Sequence, residues 1–285
     1  MKLKKIATIR SGQDGAIHGH TLFRLNARGL CSVYDLSSLA EGGEPILLAG
    51  FTLGSSEILT PHSNSVCFGP DYYAEGDEFP LLYSNVYNNY AGKPDKRIGE
   101  CCVYRIRREG AGFRADLVQL IAIGFCEDAS LWKASPEGHG VRPYGNFLVD
   151  PDTRAYYAYV MRNEELGTRY FRFDLPSVHA GDPDPLLGVP RFVLGVEDIR
   201  ESFDLPFYRY IQGGIINGGR LYSTEGFERD EKNPPAIRVV DLAGHREEYH
   251  YLPALGVHEE PEMIDFMDGA CYYSDGNGNF YTVSF

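Results

Sequence analysis

Tryptophan is almost absent from this chain, occurring only as Trp132, and the six cysteines at 31, 67, 101, 102, 126 and 271 include no C-x-x-C pair. That scatter excludes a zinc site of the usual spacing and a disulfide-dense scaffold, so reduced, buried thiols are expected. Basic residues are also scarce. With 27 against 40 acidic ones, the net charge of -13 would repel a phosphate backbone, and no basic cluster with interleaved aromatics offsets it. Nucleic acid is therefore excluded as a partner. No segment approaches the roughly 18 consecutive apolar residues of a membrane helix, and the basic start "MKLKKIATIRSGQDG" lacks the apolar run of a signal peptide. The expected location is cytoplasmic as the sequence stands, or secreted or periplasmic if a leader has been removed. No membrane partner is expected. Phosphate-binding and serine-nucleophile motifs are missing too: "GGIINGG" departs from G-x-G-x-x-G and leads into a strand, and no serine sits in a G-x-S-x-G elbow. No nucleotide cofactor is predicted.

What the chain has is aromatic residues and glycine: 20 Tyr, 16 Phe and 32 Gly, without helical periodicity in the longer stretches. This composition suits many short strands joined by tight turns, and an all-β fold is predicted. The segment "QDGAIHGHTLFR" (13 to 24) recurs without a gap as "QGGIINGGRLYS" (212 to 223), matching Gln, Gly15 with Gly214, Ile17 with Ile216, Gly19 with Gly218 and Leu22 with Leu221. Both copies run on into a strand ending in Asp-Leu. This is an internal repeat.

Three more units share the grammar of an inner apolar run, an aromatic followed by a mostly small residue, and a third strand. They are "SNSVCFG" with "FPLLYSNVY" and "CCVYRIRR", "YGNFLVD" with "RAYYAYVM" and "RYFRFDL", and "PEMIDFMDG" with "ACYYSDG" and "NFYTVSF". The second strands then align at Phe23-Arg24, Tyr83-Ser84, Tyr157-Ala158, Tyr222-Ser223 and Tyr273-Ser274. Four units continue into a fourth β-rich segment, at 46 to 53, 115 to 125, 190 to 199 and 246 to 255. The fifth cannot, because the sequence ends, while the strand-like 2 to 9 has no unit of its own. Residues 2 to 9 thus complete the last unit and close a ring. The pattern resembles the β-propeller class over nearly the whole chain, although the Gly-His and Trp-Asp signatures of WD40 blades are missing and no narrower family is assigned. The resemblance implies one domain over 1 to 285, a five-bladed β-propeller of four-stranded blades, at about 57 residues per blade against the usual 40 to 50 or so.

His18 and His20 invite a reading as metal ligands, but His18-Gly19 lies opposite Asn217-Gly218, where a hairpin turn is expected. His18 is read as a turn residue. A ligand site is expected instead where the five innermost strands begin, because those starts converge on one mouth of the channel. In order they bring Gln13 and Asp14; His62, Ser63 and Asn64; Arg142, Tyr144 and Asn146; Tyr210 and Gln212; and Glu259, Glu260 and Glu262. Long loops at 88 to 100, 127 to 146 and 227 to 236 should wall that mouth, and the opposite face should carry tight turns apart from the insertion at 69 to 78.

Amides, acids and an aromatic platform suit a hydroxyl-rich ligand. The leading expectation is binding of a polar small molecule, above all a carbohydrate, by Gln13, Asn64, Asn146 and Gln212 with Tyr144 or Trp132 as platform. An alternative is a glycoside hydrolase using Asp14 with Glu260 or Glu262 as acid and base, or a polysaccharide lyase using Tyr144 or His62 as base and Arg142 to neutralise a uronate. Polar side chains that merely hydrate the mouth, and a protein-interaction scaffold using the rim loops, are the readings without a ligand site. No cofactor is predicted; a divalent cation such as Ca²⁺ on Glu259, Glu260 and Glu262 with Asn64 and Asn146 is the one metal arrangement the residue types permit. Oligomeric state is not legible in the sequence.

Overall fold

The computed structural model describes residues 1 to 59, 61 to 86, 100 to 125 and 147 to 285. A first strand, β1 (Lys2–Thr8), precedes blade one, made of β2 (Gly15–His18), β3 (Thr21–Leu25), β4 (Leu30–Asp35) and β5 (Ile46–Thr52). Blade two holds β6 (Val66–Phe68), β7 (Leu82–Asn85), β8 (Glu100–Glu109) and β9 (Gly112–Ile123). Blade three takes β10 (Phe147–Asp150), β11 (Ala155–Asn163) and β12 (Gly167–Asp174), then passes through β13 (Asp182–Pro183) and β14 (Pro190–Leu194) before its own outer strand, β15 (Glu201–Leu205). Blade four is β16 (Ile211–Asn217), β17 (Arg220–Glu225), β18 (Ala236–Asp241) and β19 (Arg246–Tyr251), and blade five is β20 (Pro261–Met267), β21 (Ala270–Asp275) and β22 (Asn279–Ser284). The outer edge of β22 pairs with β1, from Lys2 opposite Ser284 to Thr8 opposite Asn279. The fold is a five-bladed β-propeller.

Two local expectations are corrected. The segment 190 to 199 is not the outer strand of blade three: β14 runs parallel to β9 and extends blade two, with Arg191 to Leu194 opposite Leu120 to Ile123. The more polar β15 pairs with β12 instead. The turn of the first hairpin is also one residue later than read. His18 still pairs with Thr21, so the turn is Gly19 and His20, just as Gly218 and Gly219 separate Asn217 from Arg220 in blade four. Gly218 and Gly219 both take positive φ, 57° and 72°, a pair of conformations that such two-residue turns demand.

The apolar residues pack blade on blade. Phe23 of blade one meets Phe68, Phe79 and Phe113 of blade two edge to face, at centroid distances of 5.5, 5.1 and 5.8 Å. At the junction of blades five and one, Ile9, Ile17 and Leu22 close against Met263, Tyr272 and Phe280. Each fully buried Phe or Leu of this kind stabilises the ring by roughly 1.5 to 3 kcal/mol.

Around the axis the innermost strands splay too far to form a continuous sheet, and their edge N–H groups need partners. Side chains supply them. The fully buried Asp14 carboxylate accepts the N–H of Gly15 (2.8 Å) and that of Val66 in blade two (2.9 Å). Ser65 donates to the Phe147 carbonyl of blade three, and Asp265 of blade five accepts the Ile17 N–H of blade one (2.6 Å). Blades four and five approach so closely that a Cβ on Gly213 would lie 2.2 Å from the Glu262 carbonyl oxygen. Asp14→Ala should therefore strand two buried donors and lower the unfolding free energy by about 2 kcal/mol, with Asp14→Asn less damaging. Urea titration checks this; an Asp14→Ala midpoint equal to wild type would remove the clamp from the account.

Candidate functional site

On the face where the innermost strands begin, a cleft of about 590 Å³ opens between blades four, five and one. The link from β1 into β2 contributes Ser11, Gly12 and Gln13; the β3–β4 turn contributes Asn26 and Ala27; the β17–β18 loop contributes Glu228 and Arg229. Blade five supplies His258, Glu259 and Glu260 on the approach to β20, Glu262 from the start of that strand, and Gly276 and Asn277 from the β21–β22 turn. Both turns are held by their own short polar side chains. Asn26 Oδ1 accepts the N–H groups of Arg28 (2.8 Å) and Leu30 (3.0 Å), and Asp275 Oδ1 accepts those of Asn277 (3.1 Å) and Asn279 (2.9 Å). These bonds set Asn26 and Asn277 at the rim.

Glu262 forms the floor. Its side chain is enclosed, Oε1 accepts from Gln13 Nε2 at 3.2 Å, and Oε2 has no hydrogen-bond partner among the described residues. Burial raises its pKa well above the usual carboxylate range and the neighbouring Glu260 raises it further, while Arg24 opposes both. Glu260 is half-buried and accepts from Gln212 Nε2 at 2.5 Å. Burial first, and Glu228 second, push its pKa up to about 7. Both carboxyls are thus poised to hold protons at a pH where ordinary glutamates have lost them.

Beneath the floor lies Arg24, only 2% exposed, whose Nη2 donates to the carbonyls of Gly12 and Asp275, each at 3.0 Å. Its Nε and Nη1 find no partner among the described residues. Burial lowers its pKa and the carboxyls of Glu262, Asp14 and Asp275 raise it. An arginine's ordinary value lies so far above neutrality that it remains a guanidinium.

Of the expected site residues, Gln13, Glu259, Glu260 and Glu262 line this cleft, and Gln212 stands behind Glu260. Asp14 requires correction as a candidate acid or base. It is wholly enclosed, with both carboxylate oxygens engaged by backbone N–H groups. His62, Ser63 and Asn64 belong to blade two and do not line the cleft: Asn64 is buried with its Oδ1 accepting from Asn85 Nδ2 at 2.5 Å, Ser63 accepts from Ser84 at 3.0 Å, and burial lowers the pKa of the His62 ring. Tyr210 packs on Phe227, with ring centroids 5.2 Å apart. Arg142, Tyr144, Asn146 and Trp132, on which the lyase reading and the aromatic platform depended, lie outside the described residues.

Glu228 and Arg229 fall in the loop 227 to 236 that was expected to wall the mouth, although neither was named as a site residue, whereas Asn26 and Asn277, in the short β3–β4 and β21–β22 turns, and His258, ahead of β20, are cleft residues that the sequence reading missed. Arg24 left a signal: it is the one charged residue at a second-strand position filled elsewhere by Ser84, Ala158, Ser223 and Ser274.

Among the described residues no group of three or more His, Cys, Asp or Glu is arranged to hold a metal ion, and Asn64 is not beside the glutamates as a Ca²⁺ site would need. His18 sits among the rings of Phe68, Tyr72 and Phe79, and His20 Nε2 pairs with Asp268 at 2.8 Å, so the two histidines do not converge. No helix among the described residues is long and apolar enough to cross a membrane.

No protein-family model matches the chain, and no curated protein does. Solved structures similar to it include hydrazine synthase of Kuenenia stuttgartiensis, at 12% identity and TM-score 0.44, matched over 92% of this chain and 61% of that one. BamB of Moraxella catarrhalis is similar at 8% identity and TM-score 0.36, over 98% of this chain and 60% of the other. Sqt1 of Saccharomyces cerevisiae follows at 7% identity and TM-score 0.39, over 99% and 98%. The chain spans about three-fifths of the length of the first two. At such identities and TM-scores nothing carries over from these proteins to this chain, and their activities remain their own.

Proposed function

We propose that the cleft between blades four, five and one binds a polar, hydroxyl-rich small molecule, in the first place a carbohydrate. The observation that carries this reading is the lining itself. Gln13 and Asn277 bring amides that both donate and accept, Asn26 adds an N–H donor, its Oδ1 being taken by two backbone N–H groups, and Glu228 on one side with Glu259 and Glu260 on another bring carboxyls to the same opening. Glu260 adds to the range of partners, because a carboxyl that titrates at about 7 offers an O–H donor to one hydroxyl and an acceptor to another.

The test is a thermal-shift and calorimetric screen of neutral sugars, uronates and amino sugars. A ligand at 100 times its Kd stabilises the native state by about 2.7 kcal/mol, equivalent to a rise in Tm of roughly 4 to 5 °C for a chain of this size. Gln13→Ala with Asn277→Ala should abolish the rise. A panel that leaves Tm unmoved, or a shift that survives this double substitution, would remove the reading.

One observation favours hydrolysis in the same place. A glycosidase acid must keep its proton near neutral pH, and Glu260, just ahead of β20, does so near a second carboxyl, Glu262, two residues on within that strand. On this reading a chromogenic glycoside is cleaved by the wild type and not by Glu260→Gln, whereas a pure binding site retains ligand and cleaves nothing.

A further inference from the structure

The other mouth of the channel carries a second cavity, of about 270 Å³, built where the innermost strands end. Every blade reaches it: Ile17 from blade one, Phe68 from blade two, Pro151 from blade three, Ile215 from blade four and Asp265 from blade five. Its walls are mostly hydrocarbon and ring. Phe68 and Phe266 flank it, and the insertion after β6 folds Tyr72 over its edge, 47% exposed and edge-on to His18 at 6.5 Å. That insertion is fastened by three ion pairs, Asp71 with Arg154 (2.6 Å), Asp77 with Arg105 (2.6 Å) and Glu78 with Arg108 (2.7 Å). The wall is thereby ordered.

At the floor of this apolar cavity stands one carboxylate. Asp265 is 7% exposed, and its two oxygens accept one backbone N–H each, from Phe266 at 2.7 Å and from Ile17 at 2.6 Å. A carboxylate oxygen has two lone-pair sites, so each retains capacity towards the cavity. No Lys or Arg is among the lining residues. Rings present a negative face, and a carboxylate beneath them adds a full charge. A primary ammonium would need three acceptors that hydrocarbon walls do not offer, whereas a methylated ammonium sheds water readily and is held by ring faces and one counter-ion.

We propose that this second cavity is a binding site for an N-methylated ammonium group, with Asp265 as counter-ion and Phe68, Tyr72 and Phe266 as its walls. The site is independent of the cleft on the opposite face, and neither reading needs the other. The insertion at 69 to 78 acquires a role in it. Burial holds Asp265 protonated up to about 7, so the cation binds more tightly as pH rises and the carboxyl ionises. Other titratable groups around the cavity do not reverse the sign. Burial lowers the His18 pKa, keeping its ring neutral, burial keeps the Cys67 and Cys271 thiols protonated, and Glu78 and the enclosed Asp14 can add only negative charge.

Calorimetric titration of the full chain with choline, with its uncharged carbon isostere 3,3-dimethylbutan-1-ol, and with a peptide bearing trimethyllysine tests the site. Choline should bind at least about tenfold more tightly than the isostere, and about tenfold more tightly at pH 8 than at pH 6. Asp265→Asn should remove that preference, and Tyr72→Ala, at an exposed position where folding is not at stake, should weaken choline several-fold. Tighter binding of the peptide than of choline assigns the cation to a partner protein, and the reverse assigns it to a free metabolite; either outcome supports the site. No choline binding at millimolar concentration, equal binding of the isostere, or full affinity in Tyr72→Ala overturns it.

Discussion

Replacing Arg238 by methionine should lower the unfolding free energy by about 3 to 5 kcal/mol, the cost expected when one partner of a buried ion pair is removed. Arg238 projects from β18 and is wholly buried, and its Nη2 lies 2.8 Å from Glu225 Oε2 on β17, also wholly buried. Glu225 Oε1 accepts from Ser223 at 2.6 Å, and the guanidinium lies over the Tyr249 ring at 5.0 Å. Burial already raises the Glu225 pKa against the pull of Arg238. Without the arginine nothing charged opposes that burial at close range, and the carboxyl must either take up a proton or remain ionised in an apolar setting. The pair itself is not expected to be strongly stabilising, since desolvation offsets most of its attraction. Arg238→Met combined with Glu225→Leu should therefore recover most of what Arg238→Met loses. Urea unfolding of the two single variants and the double variant checks this directly, and strictly additive losses would show that the two groups do not act together.

The second large effect is a dependence of stability on pH carried by Asp265. Its pKa is about 7 in the folded protein, against about 3.9 for an unfolded aspartate. The folded state holds the proton more tightly, so this group's contribution is fully present below about pH 4 and is lost as pH rises towards and through 7. The whole shift corresponds to about 4 kcal/mol, of which about 2 to 3 kcal/mol falls between pH 5 and pH 8. Asp265→Asn gives up one acceptor to a backbone N–H at every pH but has nothing to titrate. The wild type should therefore lose about 2 to 3 kcal/mol relative to the variant over that interval. The paired carboxylates Asp116 and Asp204 act in the opposite sense, being held below their usual range by arginines, and they are common to both proteins. A difference between wild type and variant that is flat with pH would show that Asp265 ionises as freely folded as unfolded.

The ring was legible in the sequence because its geometry repeats. Gly15 opposite Arg24 and Gly214 opposite Ser223 are the same register in two blades, and the repeated peptide exposes it. The role of residues 2 to 9 followed from counting strands. Blade three's outer strand was not legible, since "PRFVL" has the apolar, β-branched character of a strand whichever sheet it joins, and its partner β9 is fixed only by the path of the chain. The site was half legible. Strand starts pointed to Gln13, Glu260 and Glu262, but the same reasoning placed Asp14 beside them, and only the approach of Val66 and Gly213 from other blades decides that it is sealed in. Burial of that kind is set by neighbours distant in sequence, and no local pattern announces it.

The join between β1 and β22 lies next to the cleft. Ile9 donates to the Gly278 carbonyl at 2.8 Å, and the residues that follow and precede these two, Ser11 to Gln13 and Gly276 to Asn277, form part of the cleft wall. The circle is continuous in its covalent chain everywhere except at this non-covalent overlap, where the first strand lies beside the last. Whatever occupies the cleft thus touches residues flanking both β1 and β22 at the place where the circle can part. Occupancy and fastening become two sides of one equilibrium, so a filled cleft should lock the hoop and an opened hoop should discharge the cleft.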